Sequence, residues 1–236
     1  MGIYNTMLQS RFQSDSLVEI GVDEAGRGPL WGPMMAGAVL LPSEDSWSES
    51  MKALAQQIRD SKKLTAKKRK TLKDQIQMYA VAWGIGEVSA EEIDSLGATR
   101  ANQLAFRRAI NNLYSKYTLE SSSNRIIIDG ILPLNSVKEG ESVETIVEGD
   151  AKYLSIAAAS ILAKVVHDDW VTDWCKENVA DAAKYDLLNC KGYGTAKHRD
   201  GILKHGYTDL HRRLYLRKLV PGIVVSRHQF IVEQAV

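Results

Sequence analysis

Long apolar runs are missing from this sequence: no stretch approaches the roughly 18 residues that a membrane span requires. The first twenty residues also lack the apolar segment of a secretory signal, so a soluble, cytoplasmic protein is expected. Cysteine is scarce. Cys175 and Cys190 form no CxxC pair, which argues against a zinc ribbon or a disulfide scaffold and predicts reduced thiols. Charge of one sign is not in excess, because 30 Lys+Arg face 29 Asp+Glu for a net +1. A globally basic nucleic-acid binder is thereby excluded, while local basic patches are not. No internal repeat or low-complexity tract is found. Met1-Gly2-Ile3-Tyr4-Asn5-Thr6 fits the loose myristoylation pattern, which is too short to carry weight.

What is present is a chain of 236 residues, 44% hydrophobic and 25% charged, enough for one domain or one domain with an appendage. Residues 1–16 read as a flexible polar lead. Val18, Ile20 and Val22 alternate with Glu19 and Gly21 in strand period, and residues 34–41 supply an apolar run that should pair with them as a hairpin-like neighbour. Residues 43–50 read as a loop. Lysines and arginines between Lys62 and Lys73 predict a basic helix with Thr65 as N-cap. Residues 79–88 read as a strand broken by Gly84 and Gly86, residues 98–117 as a long helix, and 125–129 as a buried strand. Residues 143–147 form another short strand candidate. The Ala-rich stretch 154–174 is apolar nearly all round as far as Val166 and predicts a buried helix. The order of elements indicates a three-layer α/β fold, a mixed sheet flanked by helices, with core 17–178 and a C-terminal helical lobe over 179–236.

Acidic residues stand where these strands stop: Asp23 and Glu24 after the first, Asp129 after the buried strand, Asp150 before the buried helix. If the strands are neighbours, the carboxylates converge and repel one another, a conflict that a hard divalent cation removes. Two such ions about 3.5–4 Å apart would suit phosphodiester hydrolysis. Position alone leaves open that each acid is a turn or cap residue. Gly26-Arg27-Gly28 lacks the spacing and the lysine of a phosphate loop, yet its glycines allow a ligand close to the backbone. Basic residues recur at 62–73 and 191–218, the second run interleaved with Tyr193, Tyr207 and Tyr215, as a polyanion groove requires. Ser160 and Lys164, one helical turn apart, are read as packing rather than as a nucleophile pair. His198, His205 and His211 lack metal-ligand spacing and are read as exposed residues or weak phosphate contacts.

The run Val22-Asp23-Glu24-Ala25-Gly26-Arg27-Gly28-Pro29-Leu30-Trp31-Gly32-Pro33 resembles the signature of type 2 ribonuclease H, ribonuclease HII. The resemblance continues through Asp60-Ser61-Lys62-Lys63-Leu64, Ile128-Asp129-Gly130, Gly149-Asp150-Ala151-Lys152 and Lys191-Gly192-Tyr193-Gly194-Thr195 with His198. It implies a ribonuclease H-like fold with a mixed five-stranded sheet. The implied activity is an endonuclease acting on the RNA strand of RNA–DNA hybrids and at single ribonucleotides in duplex DNA, leaving 3′-hydroxyl and 5′-phosphate ends. It further implies that Asp23, Glu24, Asp129 and Asp150 are the catalytic ligands of two divalent cations, Mn²⁺ or Mg²⁺. Substrate contacts are implied for Gly26, Arg27, Gly28, Ser61, Lys62 and Tyr193. The glycine segment would read the ribose 2′-hydroxyl, and Tyr193 the RNA-to-DNA junction. Three departures stand out: Glu148 where the family usually has Lys, His167 where it usually has Arg, and Ser95-Leu96-Gly97 in place of a common Ile-Asn pairing. Gln229-Phe230-Ile231-Val232 does not supply a sliding-clamp peptide, and a monomer is expected. Two other readings are a hybrid-binding protein disabled at Glu148 and a DNA-strand-transfer enzyme. The latter would not need the Gly-Arg-Gly segment or Tyr193.

Overall fold

The computed structural model describes residues 7–118, 124–135 and 137–225. The myristoylation-like start and the segment Gln229-Phe230-Ile231-Val232 lie outside them. Among the described residues the sheet has five strands: β1 (Val18–Ala25), β2 (Met34–Leu40), β3 (Ala82–Val88), β4 (Asn124–Asp129) and β5 (Ser142–Ile146). Their order is β3-β2-β1-β4-β5. β1 is antiparallel to β2 and β2 to β3, whereas β1 runs parallel to β4 and β4 to β5. The mixed sheet expected from the sequence is thus present.

Helices cover both faces. On one face α3 (Ala90–Leu96) leads into α4 (Ala98–Tyr114), which packs Phe106, Ile110 and Leu113 against Ile20, Val22, Ile126 and Ile128. On the other lies α5 (Leu154–Glu177), buried on almost every side through Ala163 because α1 (Glu49–Ala55) and α2 (Ala66–Tyr79) close over it. The helix–sheet contacts are unusually close. A Cβ at Gly84 or Gly86 would collide with the α4 backbone at Ala109 and Ala105, so these glycines mark the approach of a helix rather than a break in β3. Gly21 and Gly37 meet α5 in the same way at Ser155 and Ala159.

Several boundaries differ from the sequence reading. The 43–50 loop contains a 3₁₀ turn, Glu44–Ser46, and the start of α1, capped by the Ser48 hydroxyl. Tyr79 belongs to α2, whose length is set by packing of Leu72 and Ile76 rather than by the strand-like residues after it. The Thr65 hydroxyl does cap α2, accepting from the Lys68 amide. The described part of the polar lead is docked rather than free. The Gln9 amide donates to the Lys152 carbonyl at 2.8 Å, Phe12 packs edge-on against Tyr153, and Asp15 pairs with the buried Arg125.

Beyond α5 the described residues form four short helices: α6 (Val179–Lys184), α7 (Leu187–Cys190), α8 (Ala196–His205) and α9 (Arg213–Leu216). Trp31, from the β1–β2 connection, is fully buried among Val171, Tyr185, Leu187 and Leu216. That packing fastens the connection to the C-terminal segments. Both cysteines are free and buried in the same cluster.

Candidate active site

The parallel register pairs Val22 with Ile128, so the next residues, Asp23 and Asp129, end up side by side. Strand alternation sends Asp23 to the α5 face, with Gly21, and Glu24 to the α4 face, with Val22. Asp23 and Glu24 lie inside β1, which runs through Ala25, rather than after its end as the sequence suggested. Pairing of Glu24 with Ala36 and Ala25 with Met35 carries the strand that far. Asp129 is the last residue of β4, and its Oδ1 accepts from the Gly149 amide at 2.7 Å. That bond fixes the short 3₁₀ turn Gly149–Ala151, which holds Asp150.

Burial, then the Glu24 and Asp129 carboxylates, pushes Asp23 well above the ordinary carboxylate range. Burial also raises Glu24, with Arg27 and the Asn102 side chain opposing it. Asp150 is raised by burial and by Asp129, against the pull of Lys62. Burial lowers the Lys62 ammonium, but the carboxylates of Asp150, Asp60, Asp23 and Asp129 outweigh it and hold the group above its usual value. The Lys62 Nζ stands 3.6 Å from Asp150 Oδ2. Four acids, one exposed ammonium and Arg27 at 3.8 Å from Glu24 leave the cluster with an excess of negative charge.

The donor set is all oxygen, and Asp150 Oδ2 is buried without a hydrogen-bond partner. Both facts fit a hard divalent cation. Among the described residues no three His, Cys, Asp or Glu side chains converge closely enough to hold an ion by themselves.

Ser61, expected to touch substrate, is 3% exposed, and its hydroxyl is 3.0 Å from that of Ser160. Ser160 in turn faces Asp23 and opposes the rise of its pKa. The Ser61 side chain therefore braces the carboxylate cluster from behind. Lys164 bonds Asp168 at 2.7 Å, so Ser160 and Lys164 form no nucleophile pair. Lys62, presented by a 3₁₀ turn that Asp60 caps, is exposed.

Gly26 is buried with φ +78°, while Arg27 and Gly28 are exposed. A Cβ on Gly28 would lie 3.7 Å from the Tyr193 ring, so the two expected sensor elements are neighbours. His167 is fully buried beneath Gly26, where a Cβ would stand 2.7 Å from its Nε2, an atom that has no partner. Burial lowers the His167 pKa.

The histidine reading needs correcting. His198 and His211 are fully buried, packed around Tyr185 at the centre of the C-terminal helices, and only His205 of the three is exposed. Arg212, counted from the sequence in the basic run 191–218 as part of a polyanion groove, is instead fully buried and bonded to four main-chain carbonyls. Its place in a basic run gave no sign of burial.

A carboxylate cluster at the edge of a mixed sheet, with Lys62 and Arg27 beside it, suits a metal-dependent phosphodiester hydrolase. The family model for ribonuclease HII matches residues 20–218. Ribonuclease HII of Parabacteroides distasonis is 42% identical over 200 residues, covering 84% of this chain and 89% of its own. The crystal structure of ribonuclease H2 from Pyrococcus horikoshii OT3 aligns with TM-score 0.65 at 24% identity, covering 86% of this chain and 97% of that one. Bst-RNase HIII in complex with Mn²⁺ aligns with TM-score 0.60 at 19% identity over 80% of this chain and 70% of that one. The two structures establish the ribonuclease H-like fold. The chain belongs to the ribonuclease HII family, whose activity is endonucleolytic cleavage of the RNA strand of RNA–DNA hybrids.

Proposed function

We propose that this ribonuclease also incises duplex DNA at single embedded ribonucleotides, on their 5′ side, leaving 3′-hydroxyl and 5′-phosphate ends. Asp23, Glu24, Asp129 and Asp150 would hold two Mg²⁺ or Mn²⁺ ions. Bound there, such cations polarise the scissile phosphate and acidify an attacking water. Lys62 orients a phosphate beside Asp150. The Gly26–Gly28 backbone lies against the ribose, where only RNA offers a 2′-hydroxyl, and Tyr193 packs next to it at the RNA-to-DNA junction. The exposed lysines of α2 and the helices after residue 179 complete a groove for the duplex backbone. A cytoplasmic location accords with that substrate. The observation that carries the reading is adjacency: Glu24 reaches Arg27, and Gly28 meets Tyr193, so ribose sensing and the carboxylates share one surface.

The test uses an end-labelled DNA duplex with one ribonucleotide, beside an all-DNA duplex and an RNA–DNA hybrid, in Mg²⁺, Mn²⁺ or EDTA. Metal-dependent cutting of the first and third substrates alone is expected. A protein that cuts the hybrid and spares the single ribonucleotide contradicts the proposal.

A further inference from the structure

Arg212 is a cation in the interior, fully buried and without a salt bridge among the described residues. Burial pushes its pKa down to about 10. A buried charge is a poor way to fill space, since an apolar side chain of the same volume generally serves stability as well or better. Its hydrogen bonds show what it does instead. The Arg212 Nε donates to the Gly32 carbonyl at 2.9 Å, Nη1 to Arg27 at 3.1 Å, and Nη2 to Gly26 at 2.7 Å and Pro33 at 2.8 Å. All four acceptors belong to the connection that carries the glycine segment, and the Tyr215 hydroxyl adds a second bond to the Arg27 carbonyl.

The geometry of the peptide unit converts this grip into an orientation. In a trans peptide the C=O and the following N–H point in opposite directions, and no cis bond occurs among the described residues. Drawing the carbonyls of Gly26 and Arg27 inward therefore turns the amides of Arg27 and Gly28 outward. Neither amide finds an acceptor among the described residues.

The residue before Arg212 reaches the other sensor element. His198 Nδ1 lies 3.0 Å from the Tyr193 carbonyl and must be its donor, so His198 Nε2 carries no proton and accepts. His211 Nε2, 3.2 Å away, supplies the proton, which leaves His211 Nδ1 to accept from the Thr208 amide at 2.9 Å. Every ring nitrogen then has one role. The chain Thr208, His211, His198, Tyr193 is a directional relay of neutral imidazoles ending at the Tyr193 backbone.

We propose that His211 and Arg212 are positioning residues for ribose selection: Arg212 aims the Arg27 and Gly28 amides at the substrate, and His211, through His198, fixes Tyr193 beside them. The proposal rests on the reading of Gly26–Gly28 and Tyr193 as the ribose sensor.

The test measures single-turnover cleavage at one embedded ribonucleotide with saturating enzyme, a rate that does not depend on the folded fraction. Arg212→Gln and His198→Gln should each slow it tenfold or more while duplex affinity in EDTA changes less than threefold. Arg212→Lys, which keeps charge but not the fork, should fall between wild type and Arg212→Gln. Wild-type rates in folded Arg212→Gln and His198→Gln would overturn the proposal. Tyr193→Ala separates the two levels. If it too leaves the rate unchanged, the sensor reading fails; if it slows cleavage and the other variants do not, only the positioning proposal fails. Should the Arg212 variants not fold, nitrogen-15 NMR of the wild type still decides the relay. His198 protonated on Nδ1 and His211 on Nε2 is expected, and His198 protonated on Nε2 alone would overturn it.

Discussion

The two halves of the active surface solve opposite electrostatic problems. On the carboxylate side, burial and mutual repulsion raise Asp23, Glu24 and Asp150, and the cations nearest them, Lys62 and Arg27, belong to exposed side chains. Around Gly26–Gly28 and Tyr193, a single buried guanidinium is surrounded by carbonyl dipoles and the histidines stay neutral. The first half carries more negative charge than its neighbouring cations offset. In the second, the buried cation is held by four main-chain carbonyls of the chain itself. The two halves meet at Arg27, whose side chain lies 3.8 Å from Glu24 while its carbonyl is held by Arg212.

Removing one carboxylate should break the first half outright. Asp129→Asn is expected to lower cleavage about 10³-fold or more, equivalent to about 4 kcal/mol of transition-state stabilisation. Gel-shift affinity for the duplex should change little, and a comparable loss of binding would show that Asp129 organises the groove instead. The second half should yield to acid. His211 is pushed down to about 3, by burial and by His198, and burial lowers His198 too. A folded-state pKa below the unfolded value near 6.5 means that the unfolded chain binds more protons between the two. Stability is therefore full above about pH 6.5 and declines as pH falls toward 3, by about 1.4 kcal/mol per pH unit for each histidine kept neutral. Urea melts at pH 7, 6 and 5 measure this, and a His211→Gln protein should show a shallower decline. The smallest effect is expected at Glu148, exposed and in a left-handed conformation just before the Asp150 turn. Glu148→Lys should tighten duplex binding about two- to tenfold and steepen its salt dependence, because one repulsive charge is replaced by a phosphate contact. Unchanged affinity across a salt series would place Glu148 outside the groove.

The same division explains what could be read from the sequence. The strand ends, the buried helix and the four acids were visible because side-chain periodicity and residue type carry them directly. Ile126-Ile127-Ile128 can hardly be anything but interior, and Asp129 follows at once. The reading failed where a side chain acts on distant main chain. Arg212 contacts carbonyls 179 to 186 residues away in sequence, and nothing nearby distinguishes it from Arg213, which pairs with the exposed Asp209. His198 and His211, 13 residues apart, match no ligand spacing because their partners are each other and the backbone. Ser61 was misplaced for a related reason: its neighbours Lys62 and Lys63 are exposed, and only the arrival of Ser160 from α5 turns it inward. The resemblance pointed to Gly26–Gly28 and Tyr193, but not to the buried residues that hold them.

The glycines under α5 bear on wear as well as on shape. Where most helices rest on a sheet through a layer of side chains that can change rotamer, α5 touches Gly21 and Gly37 backbone to backbone. Asp23 lies between those two contacts, paired across the strands with Gly37, and Asp150 lies just ahead of the helix start. The spacing between these carboxylates is thus gauged by rigid main chain, with no soft layer to creep on warming or to be retuned by a single conservative exchange. A side chain at either position would have to push the α5 backbone off the sheet, and the separation of the carboxylates would change with it.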